Sequence, residues 1–383
     1  MEITGIKYIS PFLDVTTYGA GSANCIKALH KHTSIPLTIQ DFSFENCQFK
    51  VQSERDDWQP LIEKTINYNV QIIHTSPFYY STFKEPEIAN IGFLYWETSH
   101  IPDSWVKEIN KNLDAQFVCC QYTKKALIES GVKIPVIVVL PGFDFDNKPP
   151  IKHSPTFGFD KDAYKFYSIA QWTERKNLIG LLKAYLTGFS PKDKVLLVMK
   201  TYLNNDSLEN LQQIKQGIEM IKMSIRQNPK FKDYFPPIAL IGRFLTPEEM
   251  WGLHNECDCL VTPHRGEGIG MVHAEAMSAG NPVISTALGG NTEFMDKNNS
   301  ILIPYSLTPV IGMPWIKEYE SDMYWAEPDL YELKNAMRDI YENQKKAKAV
   351  GKSAEKTIQS EFSTKNLAEN MVNAIHKTLK KKK

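Results

Sequence analysis

A chain of 383 residues is too long for one small binding module and, at roughly 100–200 residues per domain, predicts two domains. Hydrophobic residues make up 42% and charged residues 23%, enough apolar material for full cores and too little charge for a disordered chain. Lys plus Arg and Asp plus Glu both number 44, so no long-range positive field points to nucleic acid, and any anion must be held locally.

In chain order, short apolar runs alternate with longer amphipathic ones, the rhythm of β-α-β units feeding a parallel sheet, so the expected class is α/β. The first half predicts strands at 6–10, 36–40, 70–74, 91–95, 116–120 and 136–140. Helices are expected at 21–32, 60–68, 103–112 and 123–130. From Pro141-Gly142 to Pro149-Pro150 the periodicity stops in a polar, proline-rich stretch, the expected hinge. A second series predicts strands at 166–170, 195–200, 238–242, 259–263 and 282–285. Thr246-Pro247-Glu248-Glu249 reads as a capping box with proline at the first helical position. From Asp329 onward the pattern is helical and closes on Lys377 and four final lysines, read as a solvated tail with at most peripheral membrane contact.

The six cysteines, Cys25, Cys47, Cys119, Cys120, Cys257 and Cys259, form no C-x-x-C pair and read as reduced core thiols. The first nine residues lack the apolar core of a signal peptide, and no run of 18 apolar residues exists. A cytoplasmic location is expected. None of the nine histidines has metal-ligand spacing, so no tightly bound metal is expected.

Two doubly wound domains joined by a hinge leave a cleft, and open parallel sheets bind ligands at the carboxyl ends of their strands. The segment that meets this description is Thr262-Pro263-His264-Arg265-Gly266-Glu267-Gly268-Ile269-Gly270-Met271, where three glycines follow a strand and open a helix. Such a turn lets the backbone approach a ligand and aims free N–H groups and a helix dipole at a phosphate. An ordinary strand-to-helix turn is the alternative. The helix after it is apolar nearly all round and is expected to be buried, with Glu275 in its middle. A carboxylate there needs hydrogen donors, which a ribose diol or a structural salt bridge would supply. Glu267, at the cleft edge, is placed to meet sugar hydroxyls. Gly19-Ala20-Gly21 lacks the third glycine of a dinucleotide fingerprint, since position 24 is Asn24, and hydride transfer is not supported. Trp96-Glu97-Thr98-Ser99-His100 lines either a sugar or the core, and His74 reads as structural.

The run from Glu267 to Glu275, with Ala276-Met277-Ser278-Ala279-Gly280-Asn281-Pro282-Val283-Ile284-Ser285 and Gly289-Gly290-Asn291-Thr292-Glu293, resembles the donor-site signature of retaining glycosyltransferases of family 4. Arg175-Lys176-Asn177, Leu240-Ile241-Gly242 and Val139-Leu140-Pro141-Gly142-Phe143-Asp144 extend the resemblance. It implies the GT-B fold: two Rossmann-like domains facing each other across a cleft. Residues 1–150 would form the acceptor side and 151–360 the nucleotide-sugar side, with a helix and basic tail at 361–383 packing back on the first domain.

By the same resemblance Glu275 holds the ribose, and Gly268, Ile269, Gly270 and Met271 cradle the diphosphate. Glu267 meets the transferred sugar, and Lys176, beside Arg175, neutralises the departing diphosphate. Gly19 and Gly21 lie under the donor phosphates from the other domain. One position departs: Gln171 stands five residues before Lys176, where the family carries arginine, so added charge would come from Arg175, Arg265 or Lys200. The activity implied is retaining transfer of a sugar from a UDP- or GDP-linked donor to a hydroxyl of a growing glycan, with no tightly bound cofactor. An inactive nucleotide-sugar-binding protein and a sugar-nucleotide epimerase are the alternatives.

Overall fold

The computed structural model describes residues 2–14, 16–42, 58–145, 156–225 and 235–381. Beyond Phe145 the expected hinge lies outside them, as does Cys47. The chain divides into two compact units, Met1–Asp144 with Ser360–Lys383, and Phe145–Gln359.

The first unit holds β1 (Ile6–Ser10), β2 (Leu37–Asp41), β3 (Val70–His74), β4 (Ala89–Leu94), β5 (Ala115–Val118) and β6 (Val136–Val138). They pair in the order β2-β1-β3-β4-β5-β6, all in parallel. Every residue of β3 and β4 is buried, as expected for strands covered on both faces. The helix Thr364–Lys381 packs on the helix Thr17–His32, where Thr364 Oγ1 meets His32 Nε2 at 3.0 Å. Close by, Phe143 N donates to Phe362 O at 2.9 Å.

Two elements differ from expectation. The helix predicted at 60–68 is one 3-10 turn, Gln59–Leu61. Ile62 then bridges Ile39 of β2 in parallel, and Glu63 turns the chain with φ of 51°, so sheet pairing overrides a weak helical pattern. The helix expected from residue 21 starts at Thr17, because the Thr16 hydroxyl accepts from Gly19 N at 3.1 Å and caps it.

The second unit holds β7 (Tyr164–Gln171), β8 (Val195–Tyr202), β9 (Ile238–Ile241), β10 (Cys259–Thr262), β11 (Val283–Thr286) and β12 (Ile301–Ile303). They pair in the order β12-β11-β10-β7-β8-β9, again all parallel. Leu181, Leu182 and Tyr185 of the helix Leu178–Gly188 pack with Phe166, Leu197, Leu333 and Met337 in its core. The capping box at Thr246 and Glu249 is formed in both directions. An antiparallel hairpin, β13 (Tyr305–Pro309) with β14 (Tyr324–Pro328), is an addition to the expected elements. Its prolines and the insert between its strands hide the alternation in the sequence.

Read from one edge, the second sheet has the strand order 3-2-1-4-5-6 of a dinucleotide fold, which reverses between β7 and β10. The first reverses between β1 and β3. Register between β7 and β10 covers only Phe166 with Cys259 and Tyr167 with Leu260, although β7 continues to Gln171. The strands part there, and the loops that follow them frame a crevice. Among the described residues no helix is long and apolar enough to cross a membrane. Five cysteines are buried thiols.

Candidate functional site

Both loops at the β7–β10 reversal carry charge. Leaving β7, Asn177 adopts the left-handed conformation (φ 51°) and caps the helix Leu178–Gly188 through Gly180 N, while its amide donates to Pro263 O at 3.0 Å. Arg265 N donates to Arg175 O at 2.7 Å, and Arg175 Nη1 to Gly266 O at 3.0 Å. Laced this way, the loops bring Lys176 Nζ to 2.5 Å from Glu267 Oε2. Glu267 is buried. Burial alone would raise its pKa, but the charges of Lys176 and Arg175 overcome that and hold the carboxyl far below the usual carboxylate range.

Behind this pair lies a polar network not anticipated from the sequence. His273 Nε2 meets Thr262 Oγ1 at 2.6 Å and Ser285 Oγ at 2.9 Å, and His264 Nε2 meets Ser285 Oγ at 3.2 Å. Burial pushes His264 well below its ordinary pKa and His273 down to about 4, so both rings are neutral next to Glu267. The only sequence signal was that His264 and His273 flank the glycine turn.

Gly268, Ile269 and Gly270 are buried, and Gly270 enters the helix Met271–Ser278 with φ of 86° and no side-chain cap. The turn is clamped from behind. A Cβ on Gly289 would come to 2.4 Å from Glu267 O, and one on Gly290 to 2.2 Å from Gly268 O. Gly289 and Gly290 therefore permit the close approach that shapes the turn. The uncapped first turn presents backbone N–H groups and the positive end of the helix dipole, an arrangement suited to a phosphate.

The helix is not buried all round. Met271, Val272, Glu275 and Ala279 form a half-buried stripe at helical spacing while His273, Ala274, Ala276, Met277 and Ser278 face the core. Glu275, 28% exposed, sits on the open stripe with Oε2 at 3.5 Å from His254 Nε2. Asn281 Nδ2 donates to the Tyr167 hydroxyl oxygen at 2.9 Å, which leaves the phenol proton for His254 Nδ1 at 2.8 Å. The imidazole proton then sits on Nε2 and faces the carboxylate. This long contact with an imidazole leaves much of the carboxylate open to solvent.

Other expected residues divide as follows. Arg265 is committed to Glu327 (2.6 Å) and Glu174 (2.9 Å), and Gln171 Nε2 to Leu203 O (2.7 Å). Gly19 and Gly21 lie in the helix Thr17–His32, and the glycine loop expected there is helical. A Cβ on Gly19 would overlap Asp14 O, and one on Gly21 would come to 2.4 Å from the Tyr95 hydroxyl, so packing explains both. Trp96 is a core residue, 4.9 Å from Trp105 and donating to His100 O at 2.8 Å. A cavity of about 200 Å³ opens beside the β7 loop, lined by Trp172, Thr173, Glu174, Asn177, Leu178, Ile179, Gly312 and Trp315. Among the described residues no cluster of three or more His, Cys, Asp or Glu is placed to hold a metal.

Residues 211–309, which include this turn and the helix after it, match the model for glycosyl transferases group 1. Spore coat protein SA of Bacillus subtilis is 25% identical over 136 residues, 35% of this chain and 31% of that protein. The uncharacterized glycosyltransferase MJ1178 of Methanocaldococcus jannaschii is 38% identical over 77 residues, 20% of this chain and 22% of that one. The matches thus span under a third of these curated relatives. The crystal structure of Anabaena Alr3699/HepE in complex with UDP and glucose superposes over 98% of this chain and 100% of its own, with a TM-score of 0.65 at 13% identity. The chain has the GT-B fold, and residues 211–309 of its Phe145–Gln359 unit are similar to glycosyl transferases group 1.

Proposed function

We propose that this protein is a retaining glycosyltransferase that moves a sugar from a UDP- or GDP-linked donor to a hydroxyl of a glycan acceptor. The observation that carries the reading is the pairing of half-buried Lys176 with buried Glu267, set at the strand-order reversal beside an uncapped helix start. In the ligand-free chain each charge is the other's partner. A diphosphate offers Lys176 a second anion, and Glu267 is then available to hydroxyls of the donor sugar. The amides of Gly268, Ile269, Gly270 and Met271 take the phosphates, and Glu275, open on its stripe, takes the ribose diol. Arg175 adds positive charge beside Lys176.

In the transfer step the anomeric carbon–phosphate oxygen bond breaks and the bond from that carbon to the acceptor oxygen forms on the same face. The acceptor proton passes to a phosphate oxygen of the leaving diphosphate. Negative charge grows on that diphosphate as the bond breaks, and Lys176 stabilises it where it forms. That UDP and glucose occupy the Anabaena protein supports a UDP-linked donor. No metal is needed for the charge balance that Lys176 and Arg175 provide.

Thermal shift against UDP, GDP and ADP sugars identifies the donor, since a ligand at 100 times its Kd stabilises a fold by about 2.7 kcal/mol. Product formation with oligosaccharide acceptors, and the anomeric configuration of the product by NMR, then test transfer and retention. An inverted product ends the retaining assignment. Donor binding without transfer to any acceptor favours a binding protein, and a rearranged sugar nucleotide without acceptor favours an epimerase.

A further inference from the structure

Lys200 stands at the carboxyl end of β8, paired in register with Ile169 of β7, and is 6% exposed. Its ammonium lies 4.7 Å from the Tyr202 ring centroid and 5.3 Å from that of Phe244, and the two rings are 5.2 Å apart. Aromatic faces attract a cation but accept none of its three N–H groups as an oxygen would. Neither an ion pair nor a hydrogen bond to Nζ is present among the described residues. A buried ammonium so placed is costly. Burial pushes it down to about 8, against the opposing pull of Asp206.

The next pair along the same two strands is Gln171 with Tyr202. The amide of Gln171, where the resemblance calls for a guanidinium, is spent on Leu203 O at 2.7 Å. Trp172 N donates to Tyr202 O at 2.8 Å, and the Arg175 charge acts on Tyr202 from the same loop. Where the resemblance implies a cation at position 171, the neighbouring strand carries one at position 200.

We propose that Lys200 is an anion-binding residue of the donor site, its ammonium donating to the diphosphate of the nucleotide in the place left by Gln171. This rests on reading the Phe145–Gln359 unit as the donor half. Bound oxygens would give the ammonium acceptors that no described residue supplies. Around it lie Asp206 after β8, Arg175 after β7, and Tyr202 itself. Arg243, which precedes Phe244, is paired with Glu249 at 2.6 Å. The contribution of Lys200 to diphosphate affinity is then full below pH 8 and is lost as the free ammonium gives up its proton above it.

The test is calorimetric titration of the full chain with UDP, inorganic pyrophosphate and uridine. Lys200→Met is expected to weaken UDP and pyrophosphate at least tenfold, leave uridine unchanged, and abolish the fall above pH 8. Lys200→Arg retains binding, and Gln171→Arg added to Lys200→Met restores it. Because a buried charge is removed, the thermal midpoint of Lys200→Met at pH 7 holds or rises. A merely structural lysine would lower it. Unchanged pyrophosphate affinity in Lys200→Met overturns the proposal, as does an equal loss for uridine. A wild-type chain that binds neither UDP nor pyrophosphate overturns the donor reading itself, and Lys200 falls with it.

Discussion

At the strand-order reversal of the first unit, between β1 and β3, the chain packs rings; at that of the second, between β7 and β10, it packs charges. His74, which ends β3, stacks on Phe93 at 4.3 Å and meets the edges of Tyr18 and Tyr95, while its Nδ1 and the Tyr8 hydroxyl are 2.6 Å apart. Burial lowers His74 to about 3 and raises Tyr8, Tyr18 and Tyr95 well above 10, so the cluster is neutral throughout. The equivalent place in the second unit holds Lys176, Glu267 and Arg175. Two sheets of one architecture thus offer the same geometric opening, and the residues after the strands decide whether rings or charges occupy it.

The strongest way to break this contrast is at Lys176. Lys176→Met should cut turnover about 10²–10³-fold, the range for removing a group that stabilises transition-state charge. It should also destabilise the ligand-free protein by about 3–5 kcal/mol, because Glu267 stays buried without its cation. The double variant Lys176→Met, Glu267→Gln should regain most of that stability in urea titration and none of the activity. Recovery of turnover in the double variant would end the catalytic assignment.

The neutral cluster of the first unit is broken by acid. His74 is unprotonated when folded down to about pH 3, whereas in the unfolded chain it takes a proton below about pH 6.5. Between those values unfolding takes up a proton, so stability falls as pH falls, by about 1.4 kcal/mol per unit from this group. His74→Phe should flatten that slope in denaturation curves taken from pH 6 to pH 4. An unchanged slope would show that the acid sensitivity resides elsewhere, the buried His264 and His273 being next in line.

Gly21→Ala probes the same unit more gently. The new methyl would come to 2.4 Å from the Tyr95 hydroxyl, and the expected loss is about 1–3 kcal/mol in thermal unfolding. The smallest change is at Glu275, where Glu275→Gln should weaken UDP binding about tenfold, or ~1.4 kcal/mol, while the thermal midpoint stays put. A large stability loss there would make the contact with His254 structural.

Both sheets could be read from the sequence because buried parallel strands are continuous apolar runs, as in Ile91-Gly92-Phe93-Leu94 and Cys259-Leu260-Val261. The charged turn was legible because a strand end, three glycines and two glutamates fall within the fourteen residues from Thr262 to Glu275. What was not legible depends on partners distant in the chain. The hairpin β13–β14 shows its purpose only when Glu327 meets Arg265. The Gly19 to Gly21 segment looked like a loop because glycine marks both a turn and a close approach, and only the positions of Asp14 and Tyr95 tell them apart. Glu275 was expected in a sealed environment because apolar residues on every side of a helix do not reveal which stripe its neighbours leave uncovered.

Because Phe143 is tied to Phe362 and the helix Thr364–Lys381 lies on the helix Thr17–His32, the ribosome finishes the first unit last. All of Phe145–Gln359 is synthesised before the residues from Ser360 onward that belong with Met1–Asp144. Nascent chains of this protein would therefore complete their second sheet while the first still waits for its closing helix, the reverse of the usual order in which domains mature from the amino end.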